Sequence, residues 1–432
     1  MASNLSSLIP STEIFRHRGY RNYLCARVLI SGARQMVAVA IGWQVYDLAR
    51  ETRSIEASAF LLGMIGLTMF LPVLTLSLYG GQVADRYNRK AILVVATVVR
   101  IAVMLGLLVS TYLATALALK TIFCLAGVLG MVNAFFPAAA SALYPNLIPL
   151  EDLHQAIAWN SLAYQLAAIV GPAIGGFLFI GGLALVYGCA AGLALIALLF
   201  FIAIAAPAQV RKSRANGWKM IKDGLSYVRD NKVVLGAISL DLIVVLFGGV
   251  TALLPVFARD ILEVGATGLG YLRAAPAIGA LLVAFYLALR PFTRQVGRNM
   301  LIAIVIYGLA ILGFGLSKFF WLSMIMLAIT GAADMISVYV RASLIQMATP
   351  DAMRGRVSSI SFIFISASNE LGEFESGVAT RFLGPVGAVI LGGAVALVTA
   401  LSWPFIFPTL SKADHYNDIA APENKITLEE EK

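Results

Sequence analysis

Five carboxylates lie inside long apolar runs of the sequence: Asp241, Asp334, Glu370, Glu373 and Glu375. Arg34, Arg100 and Arg273 lie in similar runs. An ionised side chain in hydrocarbon costs about 3 kcal/mol or more unless it is paired or wetted, so each is a candidate functional group. The acids crowd most in SNELGEFES, where Glu370, Glu373 and Glu375 fall close together. At about 100° per residue on a helix, Glu370 and Glu373 sit about 60° apart on one face, while Glu375 points about 140° away from Glu370. Two neighbouring carboxylates in such a place can hold a single proton between them. Proton coupling is the chemistry these acids suit, with Glu373 first, Glu370 as its partner, and Glu375, Asp334 and Asp241 as the other candidates. A static network with Arg34 or Arg273 is the competing reading.

Other chemistries find no residues. No glycine-rich loop ending in Gly-Lys-Ser or Gly-Lys-Thr is present, so an ATP-driven pump lacks its engine. No HExxH or Ser/His/Asp pattern is visible, and His17, His154 and His415 all lie outside the apolar runs. Cys25, Cys124 and Cys189 stand singly, which supports neither a metal site nor a disulfide framework. The expectation is a protein that is not an enzyme, with no cofactor and no metal.

The elements that must hold these charges are long helices. Of the 432 residues 60% are hydrophobic and 13% charged, where a soluble chain is about a quarter charged. About 20 apolar residues cross a bilayer as a helix. Twelve stretches qualify: 23–48, 57–80, 91–113, 117–140, 157–180, 183–206, 234–257, 268–289, 300–317, 320–341, 358–380 and 385–408. Connections are short except for 207–233. There Trp218, Ile221, Leu225 and Val228 recur at helical spacing among lysines, which predicts an amphipathic helix on the membrane surface. The amino-terminal SSLIPSTEIFRHRGY has no cleavable apolar core.

Of the 32 Lys and Arg, 22 fall on one side of this arrangement and six on the other. The basic side is cytoplasmic, which places both termini there. The net charge of +9 then reflects topology, and no nucleic-acid partner is expected. Six spans, a basic loop and six more spans suggest duplicated halves. A shift of 201 residues brings Pro149 onto Pro350, and Gly171 and Gly176 onto Gly372 and Gly377.

The loop GQVADRYNRK, from Gly81 to Lys90, resembles the loop signature of the major facilitator superfamily. Gly81, Asp85, Arg86, Arg89 and Lys90 match, and Asn88 replaces the second glycine, which predicts a left-handed turn there. AAIVGPAIGG, from Ala167 to Gly176, resembles the antiporter signature, with Gly171, Pro172, Gly175 and Gly176 matching and Ala167 standing where a glycine is usual. The span-4 arginine of many proton antiporters is missing. DMISVYVRASLIQMATPDAMRGRVSS followed by SNELGEFESG resembles the branch that includes siderophore and macrolide exporters.

The resemblance implies an all-α polytopic membrane protein of two pseudo-symmetric six-helix bundles, 1–206 and 234–408. A linker, 207–233, joins them, and a tail, 409–432, follows. Spans 1, 2, 4, 5, 7, 8, 10 and 11 would line a cavity, leaving Arg100 in span 3 as a structural residue. Arg34, Gln35, Asn133, Gln165 and Arg273 are the substrate-cavity candidates. Gly81, Asp85, Arg86 and Arg89 would form a cytoplasmic latch, and Gly171, Pro172, Gly175 and Gly176 a helix-packing motif. The implied function is proton-coupled efflux of a siderophore, drug or similar amphiphilic small molecule across the inner membrane, by a monomer working through alternating access. A lipid flippase or importer on the same fold, or a non-transporting receptor or assembly factor, are the alternatives. With the three native cysteines replaced, Lys212→Cys is expected to react with an impermeant thiol reagent only from the cytoplasmic side and Lys318→Cys only from outside. The reverse pattern contradicts the topology.

Overall fold

The computed structural model describes residues 12–149, 152–205, 217–290, 292, 294–411 and 414, and the regular structure among them is helical. The first half supplies α1 (Arg18–Arg50), α2 (Ile55–Arg86), α3 (Arg89–Ser110), α4 (Thr115–Leu143), α5 (Leu153–Leu178) and α6 (Leu183–Ile202). The second supplies α7 (Gly217–Asp230), α8 (Lys232–Phe247), α9 (Val250–Val256), α10 (Gly265–Leu289), α11 (Val296–Leu316), α12 (Phe320–Ala348) and α13 (Asp351–Ile406). A π-helical turn, Phe257–Ile261, extends α9, so that Lys232–Ile261 forms one apolar run.

Helix starts follow local chemistry. The Ser54 hydroxyl accepts from the Ala57 amide at the head of α2. The Asn231 side chain accepts from Val233 and Val234 at the head of α8. Asn88 does the same for α3, accepting from the amides of Lys90 and Ala91. Its backbone is extended (φ −60°, ψ 114°), so the left-handed turn expected at Asn88 does not form. The amide oxygen instead satisfies amides that a new helix leaves free.

Eleven helical segments among the described residues are long and apolar enough to cross a membrane. One of them belongs to α13, whose 56 residues would run about 84 Å, far beyond a hydrocarbon core of about 30 Å. It breaks at Gly384, where φ is 72° and ψ 169°, a conformation nearly restricted to glycine, and Pro385 follows. The two segments on either side correspond to the spans read from the sequence as 358–380 and 385–408, which makes twelve.

The chain divides by contact into two units. Met1–Ser213 and Leu254–Ala274 form one; Arg214–Leu253 and Ala275–Lys432 form the other. In the first, α1 packs on α5 and α6, α2 on α4, and α3 on α4 and α6. In the second, Leu240, Met300, Ile304, Val340, Leu344, Ala396 and Trp403 make a core shared by α8, α11, α12 and α13. The Trp403 indole donates to the Gly236 carbonyl (3.2 Å). The predicted amphipathic helix exists as α7, but part of it docks on its own unit. Val228 packs with Ile345, Val357 and Ile360, Asp223 meets Arg356 at 3.1 Å, and the Tyr227 hydroxyl donates to the Ala348 carbonyl. Leu225 remains exposed, and the side chains of Trp218 and Ile221 lie outside the described set.

Gly384→Ala is expected to destabilise the protein by about 1–3 kcal/mol, because a Cβ strains that backbone. Gly192→Ala, a helical glycine with nothing within 4 Å of an added Cβ, is expected to be neutral or slightly stabilising. Unfolding midpoints in detergent check the pair.

Candidate functional site

The first unit gathers cations around aromatic and amide groups. Arg34, half-buried on α1, donates to the Tyr164 hydroxyl of α5 at 3.2 Å. Arg100 of α3 is 4% exposed and donates to the Asn133 side-chain oxygen at 3.0 Å. Its guanidinium lies over the Phe136 ring, 4.1 Å from the centroid, and that of Arg27 lies 5.6 Å from the same ring. Asn133 is thus held by Arg100. Gln35 is half-buried on α1. The Gln165 side chain lies outside the described set.

Close helix approach explains the glycines of the packing motif. A Cβ on Gly171 would fall 2.7 Å from Gln35 Cβ, and one on Gly175 3.3 Å from Met36 Cα, so both glycines let α5 lie against α1. Gly176 faces Gly270 of α10 with no room for a side chain on either. Pro172 is buried within α5.

At the carboxyl-terminal end of α1, two acids and two arginines interlock. Asp260 accepts from the Tyr46 hydroxyl (2.5 Å) and from Arg50 Nη2 and Nε (3.1 and 3.3 Å). Arg259 meets the Asp47 carboxylate at 2.7 Å and its backbone carbonyl at 2.9 Å. Both second-half residues sit on the π-helical turn. Asp47, near the end of an apolar span, is thus ion-paired.

The α2–α3 loop uses its basic residues on helix ends. Arg89 donates to the Ala142 carbonyl (2.9 Å) and to the Ala84 carbonyl (3.3 Å), and Lys90 to the Ile202 carbonyl (2.7 Å). Cations at helix carboxyl termini complement the helix dipole. Arg86 is exposed, Gly81 half-buried, and the Asp85 side chain lies outside the described set.

In the second unit, Asp241 of α8 and Arg341 of α12 form a buried ion pair, each residue 5% exposed. Beside it lies a cavity of about 10 Å³ lined by Asp241, Val244, Ile304, Tyr307, Ala333, Asp334 and Ser337, about the room one water needs. The Tyr307 hydroxyl donates to the Gly248 carbonyl (3.2 Å). Asp334, Ser337 and Arg341 recur at spacings of three and four, one stripe of α12. Glu370, Glu373 and Glu375 are half-buried on α13, near Ser376, whose hydroxyl donates to the Gly249 carbonyl (3.2 Å). Arg273 is half-buried on α10.

The structure thus brings Asp241 and Asp334 to one cavity and adds two residues that sequence reading passed over, Tyr307 and Arg341. The sequence ends span 10 at residue 341, whereas α12 continues to Ala348 and carries Arg341 inside the helix. The Asp334–Ser337–Arg341 spacing was the available signal. Removing one partner of a buried ion pair leaves a stranded charge, at a cost of about 3–5 kcal/mol. Asp241→Asn is therefore expected to lower the unfolding midpoint strongly. The double variant Asp241→Leu/Arg341→Met is expected to recover most of that loss. Additive losses would show that the pair is not coupled.

Comparison with known proteins accords with this architecture. The chain is 28% identical to the enterobactin exporter EntS of Escherichia coli O81 (strain ED1a) over 402 residues, 92% of this chain and 90% of the relative. The same figures hold for that of Shigella boydii serotype 18. Among solved structures, a D-xylose–proton symporter superposes with a TM-score of 0.68 at 15% identity, covering 91% of this chain and 99% of the symporter. An inward-facing bacterial homolog of the human lysosomal transporter Spinster gives a TM-score of 0.69 at 15% identity, with 93% and 97% covered. These likenesses show the fold, and the family model described as transmembrane secretion effector matches residues 11–431. The chain is a multi-span membrane transporter of the major facilitator fold, and it belongs to the transmembrane secretion effector family.

Proposed function

We propose that this protein is a proton-driven exporter of the bacterial inner membrane, with both termini cytoplasmic. It moves a siderophore, drug or similar amphiphilic small molecule outward by alternating access, as a monomer and without nucleic acid. The observation that carries the direction is the likeness to enterobactin exporters across nine-tenths of the chain. For the driving force, the chain shows no nucleotide loop, and the acids away from the ends of its apolar helices, Asp241, Asp334, Glu370, Glu373 and Glu375, fall in the second half. A proton carrier must be neutral in one conformational state and charged in the other, and only titratable acids there meet that need. Glu373 is assigned the carrier role and Glu370 that of its partner; Glu375, Asp334 and Asp241 are next in order. In this reading Asp85, with Gly81, Arg86 and Arg89, biases the closed state of the cytoplasmic side.

Inverted membrane vesicles test the proposal. A proton gradient is expected to drive substrate accumulation that an uncoupler collapses. Glu373→Gln, which mimics the protonated acid, is expected to abolish that uphill movement while downhill exchange partly persists. Uphill accumulation by the variant at the wild-type rate removes Glu373 from the role.

A further inference from the structure

The membrane interior of the first half carries cations and no acids. α3, α4, α5 and α6 contain no Asp or Glu, α1 has none before Asp47, and α2 has none between Glu56 and Asp85. The same helices hold Arg27, Arg34 and Arg100. Among the described residues no carboxylate lies within ion-pair distance of any of the three. Their partners are neutral: Asn133 and the Phe136 ring for Arg100, the same ring for Arg27, and Tyr164 for Arg34. Nε of Arg27 is buried with no hydrogen-bond partner among the described residues. Seven residues apart on α1, Arg27 and Arg34 share a face, about 10 Å apart along the axis.

Like charges in a low-dielectric setting repel strongly, and neutral hydrogen bonds satisfy donors without cancelling charge. An anion relieves all three cations at once. The three differ in reach. Arg100 is buried, whereas Arg34 is only half-buried and its partner Tyr164 is exposed, so an incoming ligand meets that pair first. A guanidinium offers the fork that a carboxylate accepts in bidentate fashion, and Tyr164 adds a ring beside it. We propose that Arg34 and Tyr164 hold the acidic group of the substrate, with Arg27 and Arg100 supplying the positive field, so that the substrate class is organic anions. This deepens the export reading by naming the charge of what is carried.

Binding to the purified protein in nanodiscs tests it without requiring transport, so the outcome is independent of the direction and energy source proposed above. The probes are salicylate and salicylamide, an anion and a neutral analogue of nearly the same shape. Wild-type protein is expected to bind salicylate at least about tenfold more tightly than salicylamide. Arg34→Gln is expected to erase that preference and leave salicylamide unchanged; Arg34→Lys is expected to keep most of it. Tyr164→Phe, which removes a single hydroxyl, is expected to weaken salicylate severalfold and serves as the readout if Arg34→Gln does not fold. Equal binding of the two probes, binding of neither, or an undiminished preference in both Arg34→Gln and Tyr164→Phe overturns the proposal.

Discussion

A bilayer leaves polar groups no solvent, and that constraint shapes every level of this protein. Backbone amides must be satisfied within the chain, so the spanning elements are helices. Side-chain charges must find partners inside the bundle, so each one in an apolar helix identifies a contact. Asp241 finds Arg341, Asp260 finds Arg50, and Arg259 finds Asp47. Small residues where helices touch, such as Gly171 and Gly175 against α1, let those contacts form at close range.

The two halves meet the constraint differently. In the first, the cations of the membrane interior rest on neutral groups, Asn133, Phe136 and Tyr164. In the second, acids predominate, and one of them is matched by a buried arginine. The proposed mechanism rests on this asymmetry: the cationic half offers a place for substrate charge, and the acidic half offers groups that take up a proton. A stretch of the second half, Leu254–Ala274, belongs by contact to the unit built from the first. Its ion pairs with α1 fasten the π-helical turn, a kind of helix irregularity often found at functional sites.

Much of this was legible in the sequence because hydrophobic length is a strong signal. Twelve apolar runs map onto the helices, and the break between the last two spans sits at Gly384–Pro385. Side-chain partnerships were less legible, since they depend on which helices become neighbours. The pairing of Asp47 is not legible locally, because its partner, Arg259, is more than two hundred residues away. Arg341 closes a span in the sequence, where charge counting does not separate a buried pair from a topology signal. Asn88 read as a turn residue because sequence alone does not say whether its amide will favour a left-handed backbone or cap the next helix.

The central claim is that substrate export and proton entry are one coupled event. Proteoliposomes holding the protein and an internal pH dye test it most directly. An imposed substrate gradient is expected to drive protons in the opposite direction, with Glu373→Gln silencing the proton signal while substrate still exchanges. Substrate movement by the wild-type protein with no accompanying proton movement would contradict the account.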